Sequence, residues 1–143
     1  MRRVEYELIE HTADIGIRVK GGNLEGLFSN AAEAVFDILA EKKLLNRQIA
    51  KPPVKNLINL KADSREELFI TWLNELLSLS AAKDLIFSEF KINKLQDNIL
   101  EATVAGRDIK DYRVNAEIKA ATYHQLKIEK SAEGWQAEVI FDV

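Results

Sequence analysis

The chain has 143 residues, 47% of them hydrophobic and 30% charged, which predicts one globular domain over residues 1–143 and excludes a largely disordered protein. Its net charge of −3 disfavours strong nucleic-acid binding by the protein alone, because such binders usually carry a basic excess. The absence of cysteine excludes disulfides, thiolate nucleophiles and cysteine-bound metal centres. No run of about 18 apolar residues exists, and the N-terminal segment is acidic where a signal peptide is apolar. We therefore expect a cytoplasmic protein that does not interact with membranes.

Two strands and a helix are predicted near the start of the chain. Apolar and polar residues alternate over residues 4–10, pause at His11-Thr12-Ala13, and alternate again over residues 15–20, as in half-buried strands. Gly21-Gly22 ends the second strand. Asn23 can cap the next element, in which apolar residues recur at helical spacing for about four turns.

A loop, a strand and a second helix are predicted in the middle of the chain. Residues 41–53 break the helical pattern and end in two prolines, which indicates a loop, and residues 54–61 are typical of a strand. Ser64 followed by Glu67 forms a capping box, which predicts a helix with a wide apolar face. Its opposite stripe is expected to be the solvated side and consists of Thr71, Asn74, Glu75 and Ser78.

Strands are predicted for most of the remaining chain, over residues 85–93, 98–106, 114–121, 122–130 and 135–142. The segment Ser131-Ala132-Glu133-Gly134 is a suitable hairpin turn between the last two. Strands that cluster after the helices favour an α+β fold. We expect a mostly antiparallel sheet with two amphipathic helices packed on one face.

Two short segments could carry chemistry. The sequence has no glycine-rich phosphate loop, no HExxH motif and no G-x-S-x-G elbow. Residues 11–14 group an imidazole, a hydroxyl and a carboxylate, although such groups most often make local turn hydrogen bonds. Asp142 and the terminal carboxylate of Val143 are oxygen ligands of the kind that Ca²⁺ and Mg²⁺ prefer, although chain ends are usually solvated.

Residues 117–124 contain two further candidates. Lys119 shares a polar strand face with Glu117, which is typical of a solvated surface. His124 lies in phase with the apolar residues Leu126 and Ile128, which is typical of a half-buried, hydrogen-bonded histidine. Neither pattern by itself assigns a functional role.

Five segments in order resemble the archease family: His11-Thr12-Ala13-Asp14-Ile15-Gly16, Leu24-Glu25-Gly26-Leu27-Phe28, Leu73-Asn74-Glu75-Leu76-Leu77, Lys119-Ala120-Ala121-Thr122-Tyr123-His124 and Phe141-Asp142-Val143. Each segment is short, but together they reach from residue 11 to the last residue. Ala121 is smaller than the aliphatic residue usual at that position in the family, which we expect to affect packing only.

The resemblance implies a small α+β protein that is not itself an enzyme but a protein cofactor of an RtcB-type RNA ligase. Such ligases join RNA 2′,3′-cyclic phosphate or 3′-phosphate ends to 5′-hydroxyl ends with GTP and Mn²⁺, in tRNA splicing and RNA repair. The cofactor promotes guanylylation of the ligase and multiple turnover. The resemblance also implies a divalent-metal site, with Ca²⁺ expected and Mg²⁺ or Mn²⁺ as alternatives, at Asp14, Asp142 and the Val143 carboxylate. His11, Lys119 and His124 would support this site or contact the ligase.

Two alternative functions remain open from the sequence. A metal-dependent hydrolase, such as a phosphoesterase, would use Asp14, Asp142 and His11, but the sequence identifies neither its general base nor its substrate cleft. A chaperone-like modulator of RNA processing is the other alternative. Turnover of phosphate substrates without a ligase would favour the hydrolase, and protection of unrelated unfolded proteins would favour the chaperone.

Overall fold

Two α-helices and nine β-strands are present in the part of the chain that the computed structural model describes, which is residues 4–9, 14–43 and 52–143. The helices are α1 (Leu24–Leu39) and α2 (Arg65–Lys83). The strands are β1 (Tyr6–Ile9), β2 (Ile15–Gly21), β3 (Ala40–Lys42), β4 (Val54–Lys61), β5 (Leu85–Gln96), β6 (Ile99–Asp108), β7 (Tyr112–Val114), β8 (Ala120–Ser131) and β9 (Gly134–Asp142). A short 3₁₀ turn over Ile109–Asp111 connects β6 to β7.

Both helices begin at the side chains that the sequence indicates as caps. The Asn23 side-chain oxygen accepts a hydrogen bond from the Gly26 amide at 2.7 Å, and the Ser64 hydroxyl accepts one from the Glu67 amide at 3.1 Å. The Glu67 carboxylate reaches back to the Asp63 amide at 3.1 Å. Each cap satisfies an amide that the helix leaves unpaired and contributes about 1 kcal/mol to stability.

The described strands form three antiparallel sheets. We call the four-stranded sheet β1-β2-β9-β8 the terminal sheet, the three-stranded sheet β4-β6-β5 the hairpin sheet, and the pair β3-β7 the small sheet. The predicted α+β class, with antiparallel strands and two helices, is confirmed. Alternation identifies a strand but not its partner, so the division into three sheets cannot be read from the sequence.

Both helices pack on one face of the terminal sheet and also contact the hairpin sheet. The indole nitrogen of Trp72 in α2 donates a hydrogen bond to the Phe28 carbonyl in α1 at 2.9 Å. The rings of Phe28 and Phe69 meet edge to face, with centroids 5.1 Å apart. The buried apolar side chains of the helices and of the two larger sheets thus belong to one core. Neither helix in the described ranges has the length and apolar character needed to cross a membrane.

The hairpin turn predicted at residues 131–134 is confirmed, with Ser131 opposite Gly134 at the closed end of β8–β9. Gly134 has φ +130°, a conformation that residues with a side chain rarely adopt. A Cβ atom at this position would lie 2.4 Å from the Gly21 carbonyl oxygen. Glycine is therefore required here by both the backbone conformation and the close approach of β2.

Two predicted boundaries in the chain are wrong. The interval predicted as a loop, residues 41–53, begins within β3, whose last residues Glu41 and Lys42 pair with β7. The strand predicted over residues 114–121 is interrupted, because β7 ends at Val114 and the next five residues form no strand. Their alternating pattern arises because Ile118 is buried in the core while its neighbours are exposed.

Candidate functional site

Antiparallel pairing places the start of β2 beside the end of β9 in the terminal sheet. In the β2–β9 pair, Ile15 lies opposite Phe141, so Asp14, directly before β2, and Asp142, the last residue of β9, lie at the same end of the pair. We call Asp14, Asp142 and the terminal carboxylate of Val143 the carboxylate edge.

The carboxylate edge belongs to the side of the sheet that faces away from the helices. Along β9, Phe141 and Val139 are completely buried against the helices, whereas Asp142 and Glu138 alternate with them on the outer face. Asp142 is exposed and Asp14 is half-buried. The charged groups at this edge can therefore meet a solvent ion or a partner without rearrangement of the core.

Lys119 also lies at this edge. Its amide donates a hydrogen bond to the Asp142 carbonyl at 2.8 Å, immediately before β8 begins and Ala120 pairs with Asp142. The Lys119 side chain is exposed. Because β9 lies between β2 and β8, the sheet brings together four of the six predicted site residues, namely Asp14, Asp142, Val143 and Lys119. His11 lies outside the described residues.

Asn74 of α2 has a role that the sequence interpretation missed. Its side-chain amide donates to the Ala121 carbonyl at 3.2 Å and accepts from the Ala121 amide at 2.7 Å. The predicted solvated stripe is therefore wrong at this position, because Asn74 pairs with the backbone of β8 as a neighbouring strand would. The one signal in the sequence was the presence of Asn74 in a segment that resembles the archease family.

His124 lies in an irregular part of β8. Thr122 pairs with Ile140 and Lys127 pairs with Glu138, so four residues of β8, 123–126, lie opposite Val139 alone. We call residues 123–126 the β8 bulge. His124 is exposed, which contradicts the half-buried position expected from its phase with Leu126, because the bulge breaks that phase.

The donor groups at the carboxylate edge fit a hard cation. Among the residues that the structure describes, no three His, Cys, Asp or Glu side chains cluster as metal ligands would. The edge combines two aspartates at one end of the β2–β9 pair with a main-chain carboxylate, so its donors are oxygen atoms. Oxygen ligands suit Ca²⁺ and Mg²⁺, whereas Zn²⁺ sites usually contain histidine or cysteine.

A charged network lies further along the same outer face. The Arg18 guanidinium is 2.8 Å from a carboxylate oxygen of Glu7 and 3.1 Å from one of Glu138. The hydrogen bond that Arg18 donates to Glu138 is the main reason that the pKa of Arg18 is raised above its ordinary value, and the negative charges of Glu138 and Glu7 act in the same direction. This network therefore joins β1, β2 and β9 through one cation.

Comparison with known proteins identifies the same family over nearly the whole chain. The model of the Archease protein family matches residues 6–143. The protein archease of Methanosarcina barkeri is 34% identical over 145 aligned positions, which cover 97% of this chain and 96% of the relative. The protein archease of Pyrococcus furiosus is 33% identical, with coverage of 97% and 99%.

Two solved structures share the fold. The solution structure of protein 1598 from Methanobacterium thermoautotrophicum has a TM-score of 0.73 and 29% identity, covering 96% of this chain and 98% of its own. A Thermotoga maritima crystal structure, described as an archease and possible chaperone, has a TM-score of 0.65 and 25% identity, with coverage of 100% and 98%. Sequence and fold agree, and this chain belongs to the archease family.

Proposed function

We propose that this chain is a protein cofactor that activates an RtcB-type RNA ligase in the cytoplasm, promoting its guanylylation and multiple turnover in tRNA splicing or RNA repair. The observation that supports this proposal best is the β2–β9 register, with Asp14 and Asp142 at the same end of the pair and the Lys119 amide bonded to the Asp142 carbonyl. The residues that the archease resemblance names as functional come from both ends of the chain. The β2-β9-β8 pairing gives them a common surface that a partner can contact.

The geometry of the carboxylate edge favours a role in protein interaction over a role as an enzyme's active site. The carboxylate edge lies at the ends of strands in the terminal sheet, on the solvent-facing side of that sheet. A large open cleft of about 890 Å³ is lined by Tyr6, Lys20 and Trp135, and Trp135 is at the opposite end of β9 from Asp142. The carboxylates and this cleft are therefore separated along the length of the strand.

A divalent cation, with Ca²⁺ first and Mg²⁺ or Mn²⁺ as alternatives, is part of this proposal. Asp14, Asp142 and the Val143 carboxylate would hold it, because they are the oxygen donors that the sheet brings together. When bound, the cation would supply positive charge that offsets the repulsion between the carboxylates. Lys119, whose amide bonds to the Asp142 carbonyl, adds an exposed basic side chain at the same edge.

The experiment that tests the proposal is RNA ligation with a cognate RtcB-type ligase present at a small fraction of the RNA concentration. With the wild-type protein, joined product should exceed one equivalent of ligase several-fold, and the guanylylated fraction of the ligase should rise. Asp142→Asn should reduce turnover of the ligase by roughly tenfold or more, as loss of a group that supports a metal site typically does. Its cooperative unfolding should be retained, because Asp142 is exposed.

A matched control is Glu101→Gln, which removes one negative charge from an exposed position of the hairpin sheet. This variant should activate the ligase as the wild type does. The proposal is wrong if the wild-type protein changes neither ligase guanylylation nor the number of turnovers. It is also wrong if both variants lose activity equally, since the effect would then reflect overall charge.

A chaperone role is a second candidate, and it is favoured by the description of the Thermotoga maritima relative as a possible chaperone. The two roles differ in their dependence on the ligase. If this protein suppresses aggregation of an unrelated unfolded protein at equimolar ratio and has no effect on ligation, the chaperone role replaces the activator role. Phosphate release from RNA ends without ligase would instead support a hydrolase.

A further inference from the structure

The β8 bulge contains a glutamine in the left-handed backbone conformation. Four non-glycine residues in the described part of the chain have positive φ. Asp84 ends α2, and Asp97 and Asn98 form the two-residue turn between β5 and β6, where left-handed conformations are usual. Gln125, with φ +54°, lies inside a strand and is neither a helix cap nor a hairpin turn.

Such conformations cost free energy and are most often retained where they serve a function. Glutamine also lacks the short side chain that lets asparagine and aspartate enter this region more easily. The strained backbone at Gln125 therefore indicates a functional role for the side chains of the β8 bulge.

The size of the bulge is also unusual. A common β-bulge adds one residue to a strand, whereas the β8 bulge sets four residues against one. Its start is fixed by Thr122, whose hydroxyl donates to the Ile140 carbonyl at 2.9 Å and accepts from the His124 amide at 3.3 Å. Leu126 at its other end packs against the core. The residues between these two anchors, 123–125, are exposed.

Tyr123 is the prominent side chain of the β8 bulge. It is 57% exposed, and it is aromatic, unlike the other large exposed apolar side chains of the described residues, which are Leu8, Val54, Leu57, Val114 and Val143. A tyrosine ring offers a large contact area with little conformational entropy to lose, and tyrosine is enriched among residues that dominate binding energy at interfaces.

The bulge adjoins the carboxylate edge. Thr122, directly before Tyr123, pairs with Ile140, which is two residues from Asp142 along β9, or about 7 Å. The exposed side chain of Val143 lies at the same end of β9. The exposed Tyr123 and the carboxylate edge therefore lie at the same end of the β8–β9 pair.

We propose that the β8 bulge is the docking anchor for the partner ligase, with the Tyr123 ring entering an apolar pocket whose rim carries lysine or arginine side chains facing the carboxylate edge. This inference rests on the proposed function and adds the residue that provides affinity. An exposed aromatic ring at the centre and complementary charges beside it match the usual anatomy of such interfaces.

The test is a titration of the ligase with fluorescently labelled protein, read by anisotropy, in parallel with the multiple-turnover assay. Tyr123→Ala should raise the Kd by roughly tenfold or more, the range for an interface hot spot. Tyr123→Phe should bind nearly as the wild type does, because it keeps the ring. Leu57→Ala is the matched control: Leu57 is 75% exposed in the hairpin sheet, and its variant should bind with an unchanged Kd.

The outcomes separate this inference from the proposed function. If the wild type binds and activates the ligase but Tyr123→Ala has the same Kd, the docking inference is wrong and the activator role stands. If Tyr123→Ala and Leu57→Ala weaken binding equally, the inference is also wrong, because the effect is then not specific to the bulge. If the wild type neither binds nor activates, the proposed function fails and the docking inference fails with it.

Discussion

The β5–β6 and β8–β9 hairpins are both antiparallel strand pairs, yet their extra residues are distributed differently along the strand. In β5–β6, the pairing shifts twice, and each shift adds a single residue to β5, Ser88 and Asn93. In β8–β9, the pairing shifts once, and this shift adds three residues to β8. Single extra residues bend a strand locally, whereas several extra residues at one place leave a longer stretch of the strand unpaired.

The local contacts of the two hairpins explain the difference. The side-chain amide of Asn93 donates to the Thr103 hydroxyl at 3.0 Å, so this bulge is satisfied within the hairpin sheet. The β8 bulge is fixed at its ends, while Tyr123 and His124 between them are exposed. The bulges of the hairpin sheet thus bend its strands, whereas the β8 bulge of the terminal sheet exposes side chains near the carboxylate edge.

The largest effect should follow from loss of the amide that secures β8 to α2. Asn74→Ala removes both hydrogen bonds to Ala121, which is buried, and leaves its amide and carbonyl unpaired. We expect the free energy of unfolding to fall by about 2 kcal/mol. Chemical denaturation measures this, with Asn59→Ala, an exposed asparagine in β4, as the control. Equal stability of the two variants would show that the Asn74 bonds do not stabilise the terminal sheet.

A smaller effect is expected from relief of the strained backbone in the β8 bulge. Gln125→Gly removes the Cβ that disfavours φ +54° and should stabilise the protein by roughly 0.5 kcal/mol, because the steric gain slightly exceeds the entropy cost of glycine. Thermal unfolding measures the change. Asn98→Gly in the β5–β6 turn should have a smaller effect, because asparagine already tolerates that conformation. Destabilisation by Gln125→Gly would mean that its side chain makes a required contact.

The smallest effect concerns the charged network on the outer face of the terminal sheet. Arg18→Met keeps the apolar stem but removes the ion pairs with Glu7 and Glu138. We expect a slight fall in melting temperature at low ionic strength, because ion pairs that solvent can reach are weak. At about 1 M salt the difference from the wild type should disappear through screening. A difference that persists in high salt would indicate that the pairs matter through packing instead of charge.

The sequence predicted the elements of this fold better than their boundaries and partners. Both helix starts and the turn at residues 131–134 were correct, because each depends on contacts within a few residues. The break between β7 and β8 was missed, because there the chain bonds to distant backbone. The Asn115 amide donates to the Leu39 carbonyl at 2.8 Å, and no local pattern indicates that contact.

The sequence was likewise only partly right about the residues of the candidate site. The sequence named Asp14, Asp142, Val143 and Lys119 through resemblance to a family, and the structure brings them to one edge. It assigned Asn74 to a solvated stripe and His124 to a half-buried strand face, and both assignments were wrong. A helical or strand period describes one element alone, whereas the surroundings of these residues are set by α2 packing on β8 and by the β8 bulge.

By itself, the sequence determined the α+β class, the capped helices, the alternating strands and the archease family, because these depend on residue type and spacing along the chain. Only the tertiary structure decided that Asp14 and Asp142 lie at the same end of the β2–β9 pair, that Asn74 pairs with Ala121, and that Tyr123 lies exposed in the β8 bulge. Strand pairing joins residues from opposite ends of the chain, and its register is selected by burial of the whole apolar face against the helices.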